Sequence, residues 1–348
     1  SFKVSLVRPP GEAPNSGEKQ LVGASSIHLL EERERQTLDE YDALFEKYSM
    51  FCNGRWLGAQ VLQDSQDLMY LQHVTYMKKP DVIIETGTYK GGLTYFFASL
   101  LDWIDRESAA PSSPGAKPRR NTQVISVDRH HPDMVFSANW FCPVCADCIR
   151  PYTTDVWDRK VTFVQGLADS DDVYIRVAEH LYDLGYLRLI DRGSREAIPD
   201  TVGDQRELLT AAVAAAVEGK AIAVGAVHID VAMDSNKTVV VNLDANHEFE
   251  GLMKELFFYA PLVSENSYLV VQDAKLDKIW GTKGPTAAVN YFMSLLPEGE
   301  FVAEPELQFH AYAQHIYLRR ARNTIRHTYF MEIEQGMAKL IEIGSARF

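Results

Sequence analysis

The stretch Asp81-Val82-Ile83-Ile84-Glu85-Thr86-Gly87-Thr88-Tyr89-Lys90-Gly91-Gly92, running on into YFFASLLDWIDRE at 95–107, decides the fold. It opens on a short β-branched apolar run suited to a buried strand. Glycines then break the run, and the apolar residues beyond them recur at helical spacing. A strand, a glycine-bearing turn and a helix in that order make the first unit of an α/β sheet. Further strands are expected at TQVISVD (122–128), KVTFVQG (160–166), KTVVVNLD (237–244) and SYLVVQD (267–273), with a helix, HEFEGLMKELFFYAPLV (247–263), between the last two. Strands that read as near-continuous apolar runs are buried on both faces. Their alternation with helices predicts an α/β fold, a Rossmann-like, doubly wound, mostly parallel sheet with ligands at the carboxyl ends of its strands.

Outward from this core, residues 1–26 are rich in Pro, Gly, Ser and Lys and read as a flexible arm. Residues 27–80 read as an N-terminal helical extension, with helices at 27–50 and 68–79. The core then spans 81–320 with insertions at 107–121, 136–158 and 186–236. The first half of the last insertion's apolar stretch suits a helix, and its second half suits either strand or loop. An amphipathic tail at 321–348 suits packing on the body or on a second copy, so a homo-oligomer is expected. Over 348 residues, 35 Lys and Arg stand against 48 Asp and Glu, a formal charge of -13. That balance argues against a nucleic-acid partner, which needs clustered cations. There is no run of 18 or more uncharged apolar residues and no apolar leader in SFKVSLVRPP. These features predict a soluble, cytoplasmic protein with no membrane contact and a small-molecule substrate.

Glycines at 87, 91 and 92 let the backbone turn tightly and approach a ligand, beside the unpaired N–H groups of a helix start. The pattern E-x-G-x-x-x-G is not the dinucleotide G-x-G-x-x-G. It resembles the first motif of S-adenosylmethionine methyltransferases, which makes Glu85, Gly87, Thr88, Tyr89, Gly91 and Gly92 cofactor-binding candidates. Asp128 closes the second strand, where an acid accepts hydrogen bonds from a ribose diol; the alternative is a cap or turn residue. Gly166 and Asp244, at the ends of the third and fourth strands, complete the cofactor candidates.

Asp244, Gln272 and Asp273 close two neighbouring strands, and their oxygens would suit a hard cation such as Mg. Their alternatives are again capping and turn roles. His247, three residues after Asp244, has the intrinsic pKa of a general base at neutral pH, or else bonds only locally. Cys142, Cys145 and Cys148 form a C-x-x-C knuckle with a third thiol. They serve either a structural Zn, with Cys52 or a histidine as fourth ligand, or pack as reduced thiols.

The segment LDANHEFEGLMKELFFYAPLVSENSYLVVQD (243–273) resembles the signature of the cephalosporin hydroxylase family, as do WLGAQVLQDSQDL (56–68), KGPTAAVNYF (283–292) and HIYLRR (315–320). The resemblance covers about 50–320. It implies an S-adenosylmethionine-dependent, Mg-requiring O-methyltransferase acting on a small hydroxylated or carboxylated metabolite. It also implies Glu85 and Gly87 in the cofactor loop, Asp128 at the ribose, and Asp244, Gln272 and Asp273 around the metal. Two positions depart from the family pattern: Ala245 replaces its Ser, and Gln272 replaces its Glu and removes a charge from the metal shell. The rival readings are a non-catalytic S-adenosylmethionine-binding protein and a nicotinamide oxidoreductase, the latter opposed by the missing G-x-G-x-x-G.

Overall fold

In the computed structural model the described residues are 32–108, 122–138, 141–143, 145–218, 220, 222–304, 307 and 315–323. The expected arm, most of the 107–121 loop and most of the tail lie outside them. Seven strands build the central sheet: in chain order Val82–Thr86, Gln123–Asp128, Val161–Gln165, Val239–Leu243, Tyr268–Val271, Phe301–Ala303 and Ile316–Arg320. Counted along the chain, they lie side by side as 6-7-5-4-1-2-3. Strands 1 to 5 pair in parallel, and strand 7 runs antiparallel to strands 5 and 6. The order reverses between strands 1 and 4, and a doubly wound sheet opens its ligand crevice at such a reversal.

Alternation along the strands splits the core in two. Ile83, Val124, Val240 and Val270 face the helix Gly92–Ser108, which presents Leu93, Phe96, Phe97, Leu101 and Ile104 from one stripe. Val82, Ile84, Ile125, Val127, Val239 and Val241 face the opposite layer with the helix Phe249–Tyr259. A wholly buried Lys160 Nζ lies 2.5 Å from Asp105 Oδ2 and also donates to Thr122 O, tying strand 2 to that first helix.

The helices Glu32–Lys47 and Ser65–Lys78 fall where the extension was expected, the second begun by Asp64 capping Gln66 N–H. The segment 186–236, expected as an insertion, resolves the ambiguity of its apolar stretch. It forms a three-stranded antiparallel sheet of Leu187–Asp191, Val227–Met233 and Ile222–Val224, in that spatial order, with the helix Gln205–Val217 beside it. The Ala-Val-Gly-Ala-Val run turns at Gly225 (φ 62), which the sequence pattern left open between strand and loop. The helix Asp171–Asp183 was not anticipated, although Val173, Tyr174, Val177, Ala178 and Leu181 are its buried stripe. Among the described residues, no helix is long and apolar enough to cross a membrane.

Candidate active site

The turn after strand 1 is pressed from three sides, which explains its glycines physically. A Cβ at Gly87 (φ 87) would stand 2.2 Å from the carbonyl oxygen of Asp244. One at Gly91 (φ 80) would stand 2.9 Å from the Trp157 ring, and one at Gly92 1.9 Å from the Gln60 carbonyl. Tyr89 sits between them at φ 49, a backbone region that costs a bulky residue about 1–3 kcal/mol. Asp128 holds it there: Oδ2 accepts from Tyr89 N–H at 2.7 Å, and Oδ1 accepts from His130 N–H at 2.9 Å. Asp128 thus serves its own turn and the glycine loop after strand 1 at once. Gly166 follows strand 3, and its N–H pairs with the Asp128 carbonyl at 2.8 Å. A Cβ there would meet Val173 at 2.3 Å, so its visible role is close packing of the following helix.

Glu85 is wholly buried beneath this loop. Its Oε2 accepts from the hydroxyls of Ser126 (2.6 Å) and Thr94, and Thr88 Oγ1 is 2.6 Å from Ser126 Oγ. Its Oε1 has no hydrogen-bond partner. Burial pushes Glu85 up to about 7 despite the opposing hydroxyl hydrogen bonds. Sequence reasoning passed over a second buried acid, Glu255 on the Phe249–Tyr259 helix. Its Oε2 accepts from Thr86 Oγ1 at 2.6 Å, and burial raises it to about 8.

Both acids bind a proton more tightly folded than unfolded. Their contribution to stability is therefore complete below the ordinary value of 4.5 and lost as pH rises through the folded values of about 7 and 8. Asp244, also raised, acts in the same direction. The ligand-free protein is expected to lose stability between about pH 5 and 8, at up to about 1.4 kcal/mol per pH unit for each carboxyl. Urea midpoints across that range check this, and a midpoint that rises instead would refute it.

Asp244 and Asp273 do converge. Ligand atoms of Asp244, His247 and Asp273 all lie within 4.8 Å of one another, with His247 Nε2 3.6 Å from Asp273 Oδ2. Asp244 is fixed by its N–H, which bonds Thr86 O at 3.0 Å and Thr86 Oγ1 at 3.2 Å. Asp273 is held at φ 55. His247 precedes the helix start at Phe249 instead of lying in its first turn. Burial pushes Asp244 well above the usual carboxylate range, and Asp273, Glu85, Glu255 and Asp128 add to the push. These largest influences include no cation.

Gln272, the remaining metal candidate, is 1% exposed and has both amide atoms engaged. Its Oε1 accepts from Gln63 Nε2 at 2.5 Å, and its Nε2 donates to Asn242 Oδ1 at 2.9 Å. Gln63 Oε1 in turn lies 3.0 Å from His315 Nε2, which is 3.6 Å from Asp67. The imidazole of His247 stands with the two acids, while the amide of Gln272 is tied to Gln63 and Asn242. Gln63 and His315 fall in the family-like segments 56–68 and 315–320, and their contacts reveal what each holds.

The zinc expectation is corrected. Cys142 is joined to Cys52 and Cys145 to Cys148, and no described cysteine is free. A disulfide sulfur carries no thiolate, so Cys142, Cys145 and Cys148 offer zinc no ligand, and the reduced-thiol alternative fails with it. Such bonds persist chiefly in oxidising surroundings. The first bridge also touches the glycine loop after strand 1: the Cys142 carbonyl accepts from the buried Lys90 Nζ. Gln60 Nε2 donates to Cys52 O at 2.8 Å and to Pro143 O at 3.0 Å.

Among solved structures, the fold resembles CmcI in its apo form (16% identity, 78% of this chain and 77% of that one, TM-score 0.42). It also resembles CmcI with Mg and SAM (16%, 78% and 78%, 0.41) and the O-methyltransferase NovP (15%, 75% and 82%, 0.39). These similarities are too distant to carry an argument about chemistry. No curated protein matches the chain. The family profile described as Rhamnosyl O-methyltransferase/CmcI matches residues 47–144 and 201–321, more than half the chain. That match takes in the 86–92 loop, Asp128, the acid-bearing ends of strands 4 and 5, and the closing strand. The chain therefore belongs to the Rhamnosyl O-methyltransferase/CmcI family of S-adenosylmethionine-dependent O-methyltransferases.

Proposed function

We propose that this methyltransferase uses a divalent cation, Mg, to methylate a hydroxyl or carboxyl group of a small metabolite. The observation that carries the reading is the convergence of Asp244, His247 and Asp273 at the carboxyl ends of strands 4 and 5, beside the 86–92 loop. Two carboxylates suit Mg, and the acids acting on Asp244 leave a negative site in need of a counter-charge. Asp244 and Asp273 would hold the ion. When bound, it supplies Lewis acidity that lowers the pKa of an acceptor hydroxyl.

The cofactor brings a methyl group already activated as a sulfonium, so the chain's task is mainly positioning. Glu85 Oε1, buried and without a partner, suits an ammonium group. Asp128 suits a ribose diol, with Tyr89 and Gly87 shaping the loop between them. His247 Nε2 is the base that receives the acceptor's proton, with the Asp273 carboxylate 3.6 Å away to stabilise the imidazolium.

Asp128→Ala is expected to weaken S-adenosylmethionine binding by about 1–3 kcal/mol, the cost of unpaired polar groups at the ribose and at the Tyr89 amide. Calorimetry checks this, and unchanged affinity would remove Asp128 from the site. The reading as a whole is tested by screening hydroxylated and carboxylated acceptors for release of S-adenosylhomocysteine, with and without Mg.

A further inference from the structure

An aromatic ladder runs along the edge of this site. Tyr41 packs on Phe45 with ring centroids 5.9 Å apart, Phe45 on Phe51 at 6.0 Å, and Phe51 stacks on Phe141 at 5.6 Å with an interplanar angle of 18°. It is tied to both halves of the site. Lys275, two residues after Asp273, places Nζ 4.5 Å from the Phe45 ring centroid and 2.9 Å from Glu46 Oε1. At the other end Phe141 adjoins Cys142, whose carbonyl accepts from Lys90 of the cofactor loop.

Phe141 is the anomalous member. Its side chain is 78% exposed, so it adds almost nothing to the core, yet its backbone is held at φ 57, which a bulky residue avoids. The residues that follow Phe51 and Phe141 are Cys52 and Cys142, which are bonded to each other. A covalent bridge thus fixes the stacked pair from directly beside it. A rigid ring that faces water has lost its conformational freedom before any ligand arrives, and such preorganisation favours binding. Aromatic faces prefer offset stacking on another planar ring.

We infer that Phe51 and Phe141 form the acceptor platform, and that the acceptor is a planar phenolic molecule whose ring stacks on the open face of Phe141. The inference rests on the methyltransferase reading and narrows its acceptor from any small hydroxylated metabolite to an aromatic one.

The test titrates catechol, 2,3-dihydroxynaphthalene and the saturated analogue cis-1,2-cyclohexanediol into the full-length protein with S-adenosylhomocysteine and Mg. The planar diols are expected to bind at least tenfold tighter than the saturated one, and the naphthalene tighter than catechol. Phe141→Ala is expected to abolish that preference and leave S-adenosylmethionine affinity unchanged, and Phe141→Tyr to retain it. The exposed position makes both variants safe for folding. Equal binding of planar and saturated diols, or a preference that survives Phe141→Ala, overturns the platform. Loss of self-association on size-exclusion chromatography with the preference intact would make Phe141 a contact between copies and overturn it equally. Planar diols that bind through Phe141 without ever being methylated would sink the methyl-transfer reading and leave the platform standing. Methylation confined to saturated acceptors would do the reverse.

Discussion

The Asp244→Asn enzyme is expected to lose methyl transfer by about a thousandfold or more, roughly 4 kcal/mol of transition-state stabilisation, while still folding and still binding S-adenosylmethionine. The substitution keeps the side chain's shape, and the Asp244 N–H remains anchored on Thr86. What it removes is one of the two carboxylates that face each other at the strand ends. Four other acids crowd Asp244, so the neutral amide also relieves repulsion, and the variant should be as stable as the parent or more so near neutral pH. Activity lost together with stability kept separates a functional role from a structural one. Excess EDTA should mimic the substitution in the unmodified enzyme, and Mg titration by calorimetry should show weakened binding in the variant. Full turnover in EDTA on a verified acceptor would sink the metal-assisted reading and leave a metal-free methyltransferase.

The second large effect concerns the Cys52–Cys142 bridge. It spans 90 residues of sequence, and chain-entropy arguments give a loop of that length about 4.5 kcal/mol of stabilisation through the unfolded state. Cys52→Ser is expected to lower unfolding free energy by that amount. Cys148→Ser, which opens a bridge only three residues long, should cost about half as much by the same argument. Urea unfolding with and without reductant measures both, and reductant should leave little further to lose in the double variant. Non-reducing peptide mapping supplies the direct check. One zinc per chain with three titratable thiols would overturn the pairing.

Much of the site was legible before any coordinates because it is local in the chain. The Val82–Thr86 strand, its glycine turn and the helix behind it follow from hydrophobic period and from the φ that only glycine takes easily. Asp128, Asp244 and Asp273 could be singled out because a polar residue that ends a buried parallel strand has nowhere to lie but the crevice edge. Residues at successive positions on a strand end point to opposite sides, and Gln272 turned into the protein against Gln63 and Asn242 while Asp273 turned toward His247. Glu255 was missed because an acid inside an apolar helix carries no spacing signal. Only its bond to Thr86, 169 residues away in sequence, reveals what it supports.

The sequence by itself determined the parallel sheet, its ligand edge and the acids that stand there, since these depend on patterns spanning a few residues. Tertiary structure alone decided which cysteines pair, that His247 stands with the acids, and that Tyr41, Phe45, Phe51 and Phe141 meet in one ladder. Those contacts join side chains as far apart as Cys52 and Cys142, or Gln63 and His315. Their free energy is realised only once the core has brought distant segments together, so no local propensity encodes them.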